Sequence, residues 1–138
     1  MPDITFLTSP TPSQLEQIII LYREEGWWTK GPFDPGHANR IIAGSHCFVI
    51  ATIDEKITGM GRAISDGVSD AYLQDITVKK EYRRRKIGKK IVNALLSRLE
   101  EDGFEWIGLI AERGSHEFYR QFGFKKMPDS VPMLKVKS

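Results

Sequence analysis

Ile87, Ile91, Leu95 and Leu99 recur every four residues, with Val92 and Leu96 one position behind two of them. This spacing puts a continuous apolar stripe on one side of a helix, and a helix so built must bury that stripe against a second layer. Its charges oppose it. Arg84, Arg85, Lys86, Lys89 and Lys90 crowd the start, and Glu100, Glu101 and Asp102 sit at the end. A helix carries partial positive charge at its N-terminus and negative charge at its C-terminus, so each of these side chains costs about 0.3–1 kcal/mol at low salt. The stripe explains the helix. The cationic start needs another reason.

The second layer is read from the flanking segments. Ile4–Leu7 predicts a short strand. Thr11-Pro12-Ser13-Gln14 has capping-box spacing and opens a helix that runs to about Glu25 and stops at Gly26. GWWTKGPFDPG is a loop, after which Asp34-Pro35 opens a second short helix ending at Gly44. HCFVIATI (46–53), ITGMGRAI (57–64) and AYLQDITV (71–78) read as three strands joined by short reversals. Beyond the cationic helix, WIGLIA (106–111) predicts a strand and 115–122 a short helix, and FKKM and PMLKVK predict two closing strands. The order βααβββαβαββ describes one α/β domain over residues 1–138, with a mixed, mostly antiparallel central sheet flanked by helices.

No basic region followed by an apolar run opens the chain, and the longest aliphatic run is Ile18–Leu21, so neither a signal peptide nor a membrane span is expected. The single cysteine, Cys47, fits a reducing, cytoplasmic setting and reads as a small buried hydrophobe. His37 and His46 lack partner spacing for a metal, and no metal site is expected.

Net charge is only +2, but residues 79–90 hold eight of the twenty basic side chains against one acid, Glu81. The remaining 126 residues hold twelve basic and seventeen acidic side chains. Positive charge confined to one turn between a strand and a helix points to a small anionic ligand more than to a broad nucleic-acid face. A diphosphate there would accept hydrogen bonds from the free N–H groups of residues about 84–89, with Gly88 allowing close approach. A Walker loop is excluded because Gly88-Lys89 is followed by Lys90, and a dinucleotide fingerprint because two of its three glycines are missing. A nucleic-acid-binding module using residues 79–90 stays open as an alternative.

Arg83-Arg84-Arg85-Lys86-Ile87-Gly88 resembles the Arg/Gln-x-x-Gly-x-Gly/Ala acyl-CoA loop of the GNAT superfamily of N-acetyltransferases. Leu73–Val78 resembles the strand before that loop, and Glu117–Phe124 the FY…GF helix that follows the next strand. One residue departs: Lys86 stands where the family usually has glycine. Gly61–Gly67 with Gln74-Asp75 resembles small prokaryotic members and plant serotonin acetyltransferases, favouring a small amine over a histone tail.

The resemblance implies direct acetyl transfer from acetyl-CoA, as cosubstrate, to a small-molecule amine in a ternary complex, with a homodimer and no membrane or nucleic-acid partner. It implies cosubstrate contacts at Ile76, Thr77 and Val78 on the bulged strand, at Arg83, Arg84, Arg85, Lys86, Ile87, Gly88 and Lys89 in the loop, and at Tyr119. Backbone N–H near Ile76 would polarise the thioester carbonyl, and the Tyr119 hydroxyl would act as general acid. Asp75, a carboxylate in a strand otherwise suited to burial, is the candidate base; its alternative is a structural acid hydrogen-bonded to the backbone at the bulge or paired with Arg62. Tyr72 falls where histone-type members carry a glutamate. Trp27, Trp28 and Glu112 are expected on the acceptor side, the tryptophans either stacking on the amine or packing internally. A non-catalytic acyl-CoA-binding domain is the second alternative.

Overall fold

The computed structural model describes residues 2–31 and 33–137, so Pro32 of the aromatic loop lies outside the described residues. It divides into two compact units, Met1–Gly108 and Leu109–Ser138.

The first unit is a five-stranded sheet in the order β1-β2-β3-β4-β5. Strands β1 (Asp3–Phe6), β2 (Cys47–Ile53), β3 (Lys56–Ser65) and β4 (Asp70–Val78) are antiparallel neighbours. Strand β5 (Trp106–Gly108) joins β4 in parallel. Helices α1 (Pro12–Glu24) and α2 (Pro35–Gly44) precede β2, and α3 (Ile87–Glu101) links β4 to β5.

The alternation of strand side chains sorts them between two faces. Phe48, Ile50 and Met60 form a cluster with Ile18, Leu21 and Tyr22 of α1 and Ile42 of α2. The other face receives α3, whose Ile87, Ile91, Val92, Leu95 and Leu99 are almost wholly buried. Each such side chain contributes about 1.5–3 kcal/mol, whereas a misplaced surface charge costs at most about 1 kcal/mol. Burial therefore decides that the helix forms. Gly61 is what lets α3 sit so close: a Cβ there would lie 2.9 Å from Ile91 Cγ2, 3.0 Å from Ile76 Cγ1 and 3.1 Å from Leu95 Cδ1. Cys47 is buried on β2, as expected, opposite Ala63 of β3.

The second unit contains α4 (His116–Arg120) and a cluster of rings in which Phe118 meets Tyr119 and Phe122, and Tyr119 meets Phe124. Two elements are shorter than expected, and two expected strands do not form among the described residues. WIGLIA forms a strand only over its first three residues, and the helix expected over 115–122 is five residues long. FKKM and PMLKVK form no strand among the described residues. Pro128 and Pro132 lack the N–H a ladder requires, and Val131, Met133, Leu134 and Val136 stay exposed, so no burial stabilises an extended pairing.

Candidate active site

Strand β4 is interrupted midway. Met60 of β3 pairs with Thr77, but Arg62 pairs with Gln74, so Gly61 faces two residues, Asp75 and Ile76. Asp75 takes φ +57°, the left-handed conformation of a bulge residue. Beside β4, pairing with β5 covers only Asp70–Tyr72. From Leu73 onward, β4 has no strand partner on that side among the described residues. An unpaired strand edge offers backbone donors and acceptors to an extended ligand.

The Asp75 side chain turns toward α1. Its Oδ2 accepts from the Tyr22 hydroxyl at 2.7 Å and from Arg62 Nε at 2.7 Å. Arg62 also donates to the Gln74 side-chain oxygen at 3.2 Å and to Ser45 Oγ at 3.3 Å. The pairing with Arg62 that the sequence left as an alternative is thus present. Burial and the Asp75 charge push the Tyr22 hydroxyl far above its ordinary value, so Tyr22 remains a donor.

One turn further along α1, Glu25 reaches β4 beyond the bulge. Its carboxylate accepts from the Thr77 hydroxyl and, at 3.0 Å, from Arg83 Nη2. Arg83 Nε donates to the Val78 carbonyl at 2.9 Å. Glu24, Glu25, Thr77, Val78, Lys79 and Arg83 border a hollow of about 140 Å³. Neither Tyr22 nor Glu25 was singled out by sequence, although both continue the buried face of Ile18 and Leu21, where a polar atom demands a partner.

The loop that follows has two non-glycine residues in the left-handed conformation, Arg84 at φ +67° and Lys86 at φ +64°. Lys86 is the residue before α3, so the substitution for the family's glycine sits where glycine would be unstrained. Left-handed residues in such a turn direct successive N–H groups toward one concavity. Helix α3 has no side-chain cap and no acid in its first turn. No carboxylate of the described residues pairs with Arg84, Arg85, Lys86 or Lys89; Arg85 lies over the Tyr82 ring. At the far end of α3, by contrast, Asp102 is held by His46 Nε2 at 2.7 Å and Arg98 Nε at 3.0 Å. One of the misplaced acids is therefore neutralised, and Arg84, Arg85, Lys86 and Lys89 are not paired with a carboxylate of the described residues.

Trp28 lies between Tyr22, stacked at 4.1 Å, and Phe33, stacked at 4.7 Å, so both indole faces are covered by rings of the chain itself. Trp27 meets Tyr22 edge-on and packs against the same core. In the second unit, burial and then the Glu112 charge raise the Tyr119 hydroxyl above its ordinary value. That keeps it protonated, as a general acid must be. His116 is partly exposed beside Glu117.

A sheet parted beside a bulged strand, with a basic left-handed loop opening the next helix, defines an α/β acetyltransferase architecture. The model of the acetyltransferase (GNAT) family matches residues 13–124, and the chain belongs to that family. It is 30% identical over 96 residues to an uncharacterized N-acetyltransferase, ycf52, of Porphyra purpurea, covering 65% of this chain and 55% of that protein. The chain thus spans about half the length of such curated relatives. Among solved structures it resembles a Staphylococcus aureus protein of unknown function described as a probable acetyltransferase, with TM-score 0.80, 23% identity and full coverage of both chains. It also resembles glucosamine-6-phosphate N-acetyltransferase from Arabidopsis thaliana, with TM-score 0.76 and 16% identity over 100% of this chain and 99% of that one.

Proposed function

We propose that the chain transfers an acetyl group from acetyl-CoA to the primary amine of a small molecule. The observation that carries this reading is the start of α3, where uncapped N–H groups lie beside four cations, two of them the left-handed Arg84 and Lys86, that have no carboxylate partner among the described residues. Such a start fits a diphosphate, whose charge would make each unfavourable side chain favourable. The loop Arg83–Lys89 would hold that diphosphate, and the unpaired edge at Ile76–Val78 would hold the pantetheine arm.

Acetyl-CoA would supply the thioester. The Ile76 N–H would orient and polarise its carbonyl, Asp75 would take the proton of the acceptor amine, and Tyr119 would protonate the departing thiolate. The Arg62 and Tyr22 hydrogen bonds fix the Asp75 carboxylate in one orientation. Trp28, with its faces covered, would contribute an edge to the acceptor pocket beside Trp27, with Glu112 as a further acceptor contact.

The first test is calorimetric titration of acetyl-CoA into the wild type and Gly88→Glu. Micromolar binding is expected, weakened at least about 100-fold by a carboxylate facing the diphosphate. Absence of wild-type binding would sink the reading. A second reading, an acyl-CoA-binding domain without transfer, is favoured by the occupation of Asp75 Oδ2 by two donors. Asp75→Asn and Tyr119→Phe separate the two: under transfer each lowers kcat by about 100-fold or more, read as CoA release with a panel of small amines. Undiminished rates in both variants would show the acid and base to be misassigned.

A further inference from the structure

The carboxylate of Glu25 is far more enclosed than those around it. Its side chain is 13% exposed, against 47% for the adjacent Glu24, although it follows the last helical residue of α1. Enclosed carboxylates are tolerated when their oxygens are satisfied by directed donors. Its donors include the Thr77 hydroxyl, on the strand just beyond the bulge, and Arg83, the first residue of the loop. Arg83 is in turn bound through Nε to the Val78 carbonyl. Its guanidinium is thereby held between the end of α1 and the end of β4.

The spacing gives this contact a context. Tyr22 and Glu25 are three residues apart, on one face of α1, and Asp75 and Thr77 are two apart on β4. The same helix face therefore grips the strand at its bulge and just beyond it. The Tyr22 contact reaches the candidate base, whereas the Glu25 contact reaches the entrance to the diphosphate loop.

We propose that Glu25 is a positioning residue of the cosubstrate site, which fixes Arg83 and Thr77 and thereby sets affinity for the diphosphate end of CoA without taking part in transfer. The inference rests on the acetyl-CoA site proposed above. Glu25 acts through Arg83: a guanidinium bound on two sides fixes where the chain leaves β4, and hence the direction of the left-handed turn at Arg84–Lys86. A competing possibility has the opposite sign. If Glu25 merely drew Arg83 away from the phosphates, removing its charge would tighten binding.

The test is a double-mutant cycle read by calorimetric titration of CoA into the wild type, Glu25→Gln, Arg83→Gln and the double variant. Glu25→Gln should weaken binding about 5–10-fold and raise the KM for acetyl-CoA by a similar factor, with kcat changed less than about twofold. In the Arg83→Gln background the same substitution should change affinity less than about twofold. Unchanged or tighter binding by Glu25→Gln, or an equal loss in both backgrounds, would overturn the proposal. Should Glu25→Gln melt too early to titrate, Glu25→Asp, which keeps the charge but shortens its reach, takes its place in the cycle with the same expected pattern. Failure of all four proteins to bind CoA, the wild type included, would instead remove the cosubstrate site on which the inference stands.

Discussion

Helices α1 and α3 are of similar length, 13 and 15 residues, and pack against opposite faces of one sheet, yet they begin in opposite ways. Helix α1 closes its own first turn. The Thr11 hydroxyl accepts from the Gln14 N–H at 3.1 Å, and the Gln14 side chain accepts from the Thr11 N–H at 2.9 Å. Helix α2 does likewise with Asp34 and the His37 N–H. Helix α3 begins from a strained lysine, without a side-chain acceptor and among like charges. Both helices are held by burial, so the difference cannot lie in whether they fold. A helix start that serves only the fold is sealed by its own residues, and one left unsealed among cations is available to an anion from outside.

The contrast predicts that stability and binding respond separately at the two starts. Gly88→Glu puts an acid into the first turn of α3 and removes a glycine from that turn. It should therefore raise stability, by about 1 kcal/mol, while losing the cosubstrate. A melt falling together with affinity would break the distinction. Gly61→Ala attacks what the helices share, the sheet beneath them, and should cost about 1–3 kcal/mol in chemical denaturation because the new methyl meets Ile91 and Leu95. Thr11→Ala removes the cap of α1 and should cost about 1 kcal/mol with CoA affinity unchanged.

The smallest effect concerns pH. Folded Tyr22 keeps its proton well above its ordinary value of 10.0, whereas the unfolded chain loses it there. The unfolded state thus binds fewer protons above pH 10, and the stability that Tyr22 contributes below that pH declines as pH rises toward the folded value. Alkaline melts should show this decline in the wild type and a shallower one in Tyr22→Phe; parallel curves would remove Tyr22 as its source.

Much of this architecture was legible from local rules. The stripe of α3, the Thr11 and Asp34 caps and the three consecutive strands are set by side-chain periodicity and capping chemistry, which act over a few residues. The basic loop was legible because its charges are adjacent in sequence. The Asp75 network was legible in part: a mid-strand carboxylate demanded a donor, and Arg62 could be suggested. Tyr22 and Glu25 escaped because their partners lie 53 and 52 residues away, across a helix–sheet contact that no local pattern records. The two closing strands failed for the converse reason, since apolar residues near prolines resemble strands whether or not a partner edge meets them.

Cys47 has a practical consequence. It is the only thiol in the chain, it is buried on β2, and burial raises its pKa, so little reactive thiolate is presented while the sheet is intact. Under the proposed transfer, a colorimetric thiol reagent added to the reaction would therefore count liberated CoA over a low protein background. The same reagent, added without cosubstrate, would react only as fast as β2 separates from its neighbours, turning one side chain into a clock for the opening of the sheet.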